Sequence, residues 1–190
     1  MQVPIPRGHN TNMGSILRAH SRLLSKYPAT MQCLQAGVLM GVGDASSQFL
    51  VEGKSLGDYE WRRTARFLAI GTFFIGPVLK KWYGLLDCKF GSGKGISAVK
   101  KVASDQLIFA PTFLGAFLSV LGVTQGRSVT QIQQEIKTNY KDIMLTSWSV
   151  WPAVQTLNFS FVPLHHQVLV VQTFAIFWST YLAWKTNRGH

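Results

Sequence analysis

Long apolar runs alternate with short basic connectors along this chain of 190 residues. Four windows, 30–50, 61–83, 102–123 and 164–184, each hold roughly the 20 mainly apolar residues that a helix needs to cross a hydrocarbon core about 30 Å thick. A fifth window, 143–162, is weaker because Trp148, Trp151, Gln155 and Asn158 interrupt it. Every window carries polar residues, and polar groups are costly enough in hydrocarbon that they turn toward neighbouring helices. The pattern predicts an all-α fold, a polytopic transmembrane bundle of four to five spans. Ahead of it, Met13, Ile16, Leu17, His20, Leu23, Leu24 and Tyr27 recur at three- and four-residue steps, with Arg18, Arg22 and Lys26 on another face. That spacing predicts an N-terminal amphipathic helix, suited to an anionic lipid surface or to the flank of the bundle, and ended by Pro28. The chain divides into a basic N-terminal segment, 1–28, and a single transmembrane domain, 29–190.

Composition supports a lipid-facing chain. Charged residues make up 14%, against about 25% in soluble domains, too few to clothe a surface facing water. The net charge is nevertheless +11, which points to nucleic acid, to anionic lipid, or to import into a negative-inside compartment. The aromatic residues sit inside the apolar runs and the basic ones between them, so direct nucleic-acid contact is not expected. Nothing acidic precedes Asp44, while Arg7, Arg18, Arg22, Lys26 and several serines do; this is the composition of a mitochondrial transit region. Lysine and arginine are balanced across the connectors, and the orientation stays open.

Polar residues within the windows are the candidates for function. Gly37, Gly41, Asp44 and Gln48 step by four, three and four along one helical face, and the two glycines have the spacing that lets helices approach closely. Asp44 lies about 9 Å from the end of its window at 1.5 Å per residue. Its expected partner is Arg66 on the antiparallel neighbour, with Arg62 and Arg63 as alternatives, since an unpaired carboxylate there would cost several kcal/mol. Asp105 opens the third window, with Lys101, Lys80 and Lys81 as candidate partners. The two aspartates fall toward opposite ends of the bundle, which argues against a paired-carboxylate hydrolytic site. Trp148, Trp151, Gln155 and Asn158 also share a face, as the wall of a polar passage or as an interhelical hydrogen-bonding seam. Gly76 and Pro77 predict a helix kink. His165 and His166 are adjacent and do not share a helix face; Cys33 and Cys88 make neither a disulfide framework nor a zinc site. Asn158-Phe159-Ser160 matches a glycan acceptor but lies in an apolar window. With no nucleophile–base pair, metal set or phosphate-binding loop, neither enzymatic activity nor a cofactor is expected.

One set of motifs is specific as an ordered series. It runs through Tyr27-Pro28, Gly43-Asp44, Gln48, Arg62, Arg66, Gly71, Gly76-Pro77 and Trp82-Tyr83, then Lys101, Asp105-Gln106 and Pro111. It ends with Trp148, Trp151-Pro152, Gln155, Asn158-Phe159, Val162-Pro163, Trp178 and Tyr181-Leu182. In this order the chain resembles the Mpv17/PMP22 family of mitochondrial and peroxisomal membrane proteins. Phe109-Ala110-Pro111 and Val162-Pro163-Leu164-His165 are most similar to the Mpv17 branch of that family. His166 and Gln167 stand where the family usually has an aromatic residue and an arginine, and Ser179 where it often has asparagine. The resemblance implies an integral protein of the mitochondrial inner membrane, with the peroxisomal membrane as the alternative. It implies a channel for small solutes that supports mitochondrial homeostasis and mitochondrial DNA maintenance; the alternative is a non-conducting structural protein. The expected partners are the lipid bilayer, further copies or a membrane complex, and a small solute or nucleotide-type metabolite. The polar residues expected to line a passage or join helices are Asp44, Gln48, Arg66, Asp105, Gln106, Trp151, Gln155 and Asn158.

Overall fold

Five helices follow one another in the computed structural model, which describes residues 23, 26–91 and 95–187, of 179–187 the backbone alone. Helix α1 is the α-helix Pro28–Ser46 prolonged by a π-helical turn, Ser47–Val51. Helix α2 runs through Trp61–Ile70, a π-helical turn at Gly71–Ile75, and Gly76–Phe90. Helix α3 repeats that plan with Ile96–Ser104, Asp105–Phe109 and Ala110–Thr124. Helices α4, Val129–Phe161, and α5, Leu164–Asn187, complete the chain. No strand occurs among the described residues. The amphipathic helix expected over 13–27 lies outside the described residues but for its last few positions.

Each apolar window lies within one helix, apart from Val162, which caps α4. The helices are longer than the windows: α2 continues to Phe90, α3 begins at Ile96, and α4 begins at Val129. The extension of α4 has a local cause. The Ser128 hydroxyl accepts from the Gln131 N–H, and the Gln131 side-chain oxygen accepts in turn from the Ser128 N–H, a capping box that satisfies two otherwise orphaned donors. The Tyr140 hydroxyl then donates to the Pro111 carbonyl at 2.8 Å and ties this polar stretch to α3. By length and hydropathy one helix among the described residues qualifies alone as a membrane span: Ile96–Thr124, 29 residues, with mean hydropathy 2.0 over its most apolar stretch.

Pro77 and Pro111 each sit at the second position of an α-helical segment that resumes after a π-helical turn. Proline lacks an N–H and its ring crowds the carbonyl four residues back; the wider turn just before it absorbs that conflict. The disturbance expected at Gly76-Pro77 takes this form. Helix α1 packs on α2 and α5, α3 packs on α4, and α2 reaches both α3 and α5. The apolar core gathers around Tyr83, with Leu79, Leu86, Ala36, Ala98, Phe159 and Val168 buried about it. Polar residues are buried there too: Gln48 and Asn158 are 0% exposed, Lys101 and Asp105 2%.

Candidate functional site

Glycine sets the register between α1 and α2. A Cβ at Gly71 would lie 2.7 Å from the Ala36 carbonyl oxygen and the Gly37 Cα, and one at Gly76 would lie 2.7 Å from the Cys33 Cα. Gly37 and Gly41, singled out by their spacing, face Thr72, Leu68 and Thr64 in the same crossing. This backbone contact slides Asp44 beside Thr64, and Gln48 beside Glu60.

A hydrogen-bonded cluster closes on Asp44 as a result. The Thr64 hydroxyl donates to Asp44 Oδ2 at 2.6 Å, and Gln48 Nε2 donates to the same oxygen at 2.8 Å. With its one proton spent on Asp44, the Thr64 hydroxyl accepts from Tyr59 at 2.7 Å. The Glu60 N–H donates to Gln48 Oε1. Arg63 Nε forms an ion pair with Asp44 Oδ1 at 2.7 Å. The guanidinium also clasps both Glu52 carboxylate oxygens, at 2.8 and 2.9 Å. Lys54 pairs with Glu52 at 2.9 Å and with Glu60.

The partner of Asp44 is therefore Arg63, and the expectation of Arg66 is corrected. Arg66 lies two residues past Thr64, about 200° around the helix, and neither it nor Arg62 pairs with Asp44. Thr64, Tyr59, Glu52 and Lys54 belong to the cluster without having been singled out; the loop that carries three of them has no periodicity to read.

Arg63 foremost, then Lys54, hold the Glu52 carboxyl down at about 2, against the partial desolvation that raises it. A carboxyl depressed in the folded state contributes stability above its unfolded pKa and loses it as the pH falls through the folded one. The contribution of Glu52 should therefore be complete above about pH 4.5 and disappear toward pH 2. Thermal unfolding of detergent-solubilised protein checks this: the gap between wild type and Glu52→Gln should close over that window. A gap independent of pH would contradict the ion pair.

A second cluster joins α2, α3 and α4. The antiparallel register of α2 and α3 sets Lys101 against Asp87 and Asp105 against Trp82. Lys101 Nζ lies 2.6 Å from Asp87 Oδ1. Asp105 receives three N–H donors: Trp82 Nε1 on Oδ1 at 2.8 Å, and Gln106 Nε2 and Gln155 Nε2 on Oδ2 at 2.9 and 3.0 Å. Three donors and no acceptor suit a carboxylate, which only accepts. The expected lysine partners of Asp105 are thus corrected: Asp87 takes Lys101, and Lys80 and Lys81 are exposed. Gln155 Nε2 also donates to the Tyr83 hydroxyl at 3.0 Å, Asn158 Nδ2 donates to Gln155 Oε1, and Trp148 Nε1 donates to the Gln106 carbonyl. The Trp148–Asn158 stripe thus joins α4 to α2 and α3 by hydrogen bonds, and Trp151 and Gln155 of the same stripe also face the cavity described below. Trp151 packs edge-on against Trp178.

Between the clusters lies a cavity of about 440 Å³ to which all five helices contribute. Asp44, Arg63, Asp105, Gln106, Gln155 and Trp151 line it, with Tyr83 and the aromatic row Phe109, Phe113 and Phe117. The structure thus brings Asp44, Asp105, Gln106, Trp151 and Gln155 to one space and backs it with Gln48 and Asn158; Arg66 takes no part. His165 and His166 touch ring to ring at 4.1 Å, and no group of three or more potential metal ligands occurs among the described residues.

Comparison with known proteins agrees with this arrangement of motifs. The model of the Mpv17 / PMP22 family matches residues 122–183. The mitochondrial inner membrane protein Mpv17 of Xenopus laevis is 46% identical over 178 residues, 93% of this chain and 100% of that protein. Its counterpart in Danio rerio is 42% identical over 176 residues, 93% of this chain and 99% of that protein. Protein SYM1 of Saccharomyces cerevisiae is 35% identical over 179 residues, 91% of each chain. No solved structure matches. Similarity at these levels along nearly the whole chain shows that it belongs to the Mpv17/PMP22 family and is a protein of the mitochondrial inner membrane.

Proposed function

We propose that this protein is a channel for small solutes, crossing the inner membrane with four to five of its helices. Outward-facing apolar side chains on every helix support the insertion: Val38, Phe73, Leu107, Leu157 and Phe177 are between 55% and 80% exposed. Water does not tolerate such surface on all sides, whereas lipid does. The observation that carries the channel reading is the cavity lined by all five helices with charged and amide groups in its wall. Phe109, Phe113 and Phe117 stack in sequence along α3, with Phe74 stacked on Phe113. In the channel reading this apolar row would serve as a constriction that gates by excluding water. Phe74 belongs to the π-helical turn before Pro77, so a change in that turn would move the constriction.

This reading assigns the protein no chemical reaction and no contact with DNA. Support of mitochondrial DNA maintenance would be indirect, through the solutes that reach the matrix. A non-conducting scaffold is the other reading. The two faces it would use, Gly37 with Gly41 and the Trp148–Asn158 stripe, are already occupied within the chain.

Recording from purified protein in planar bilayers tests the proposal. Discrete conductance with a preference for cations is expected, and Asp105→Asn should lower that preference several-fold without abolishing conductance. Folded, monodisperse protein that conducts no better than protein-free lipid would overturn it.

A further inference from the structure

The cavity carries a charge opposite to that of the chain around it. Its charged lining residues are Asp44, Arg63 and Asp105. Asp44 is paired with Arg63 at 2.7 Å, and Arg63 is itself shared with Glu52. Asp105 remains, 2% exposed, and no lysine or arginine among the described residues pairs with it. The buried Lys101, one turn away, is held by Asp87. A protein of net charge +11 therefore leaves one unneutralised carboxylate in the wall of this cavity.

The surroundings of Asp105 say which cation fits. Both its oxygens already accept N–H groups, whereas a hard metal ion needs several oxygens in direct contact. A bulky organic cation, its charge spread over N–H or C–H groups, acts at longer range, where attraction in a low dielectric stays large. Aromatic faces attract such cations as well, and Phe109, Trp151 and Trp178 line the same space. Two lining amides are also incomplete: Gln106 Oε1 and Gln172 Nε2 are buried without a partner, on residues 7% and 5% exposed. Buried polar atoms are seldom left so, and Gln106 Oε1 is free to accept from an ammonium N–H. The volume of 440 Å³ lies in the range of small-molecule sites, about 300–1,000 Å³. No uncompensated cation lines the cavity to receive a phosphate.

We infer that the cavity binds a monovalent organic cation at Asp105, with the aromatic wall around it: a quaternary ammonium through its charge alone, or a protonated amine that also donates an N–H to Gln106 Oε1. The inference rests on the solute-pathway reading for the role of the cavity, but its test uses no electrical readout, so binding and conduction can fail separately.

Full-length protein in lipid nanodiscs is titrated by calorimetry, with empty nanodiscs as reference, against three probes. These are benzyltrimethylammonium, its neutral carbon isostere neopentylbenzene, and benzenesulfonate. Saturable binding of one benzyltrimethylammonium per chain is expected, at least tenfold tighter than the isostere, with no saturable binding of benzenesulfonate. Asp105→Asn should weaken the ammonium at least tenfold and leave the isostere unchanged. Binding that ignores charge, binding that favours the sulfonate, or no saturable binding of the ammonium would each overturn the inference. The three-probe series on the unaltered protein decides the matter even if Asp105→Asn does not fold.

Discussion

Replacing Asp87 with alanine should destabilise the protein by about 3–5 kcal/mol, the usual cost of stranding one member of a buried ion pair. Replacing its partner by Lys101→Met should cost far less. The asymmetry follows from burial. The Lys101 side chain is 2% exposed and that of Asp87 24%. Without Asp87, the ammonium stays buried with its 2.6 Å contact gone. Without Lys101, the carboxylate can turn toward solvent, and methionine fills the vacated volume with no polar atom to satisfy. The double variant should then resemble Lys101→Met alone, because the stranded charge has gone, and the coupling energy should be a large fraction of the Asp87→Ala cost. Unfolding in mixed detergent micelles, followed by circular dichroism on the four proteins, gives the comparison. Equal costs for the two single variants, or additive costs in the double, would contradict an enclosed pair.

Why this pair escaped a reading of the sequence shows where that reading stops. Asp87 falls just beyond the apolar window 61–83, in a stretch taken as a connector, although Leu79, Tyr83 and Asp87 step by four along one face. The windows themselves were legible because long apolar runs leave little choice of structure, and each, Val162 apart, lies within one helix. Their ends were not: outside the runs, local devices such as the Ser128–Gln131 capping box and the Tyr140–Pro111 contact decide how far a helix continues. For Asp44, the need for a cation was legible but the choice among Arg62, Arg63 and Arg66 was not. That choice depends on the register between two helices, which is a contact between residues far apart in the chain. For Asp105 the charge rule itself misled. A buried carboxylate was expected to find a lysine, yet three N–H donors from Trp82, Gln106 and Gln155 receive it instead. Sequence spacing does not distinguish a charge that is neutralised from one that is only hydrogen-bonded, and the second kind leaves a field in the cavity.

Gly71 offers the sharpest test of that register. Gly71→Val should destabilise the protein by about 3 kcal/mol or more, at or beyond the upper end of overpacking costs, and Gly71→Ala should already cost about 1–3 kcal/mol. The added Cβ meets the Ala36 carbonyl oxygen and the Gly37 Cα, both at 2.7 Å. Those are backbone atoms in the middle of α1 and cannot rotate aside, unlike the Thr72 hydroxyl that faces Gly37. The helices must therefore separate or slide. Sliding would also move Thr64 and Arg63 away from Asp44, so the variant should lose the pH dependence assigned to Glu52, which the same guanidinium holds. Gly84 and Gly115 serve as controls. A Cβ on either meets nothing within 4 Å, so alanine there should be neutral or stabilise by up to about 1 kcal/mol through the lower conformational entropy of the unfolded chain. Unfolding midpoints of the three alanine variants and of Gly71→Val, measured in one detergent, decide the matter. A Gly71→Ala protein as stable as Gly115→Ala would mean that α1 and α2 do not meet backbone to backbone, and the placement of Asp44 beside Thr64 would fall with that contact.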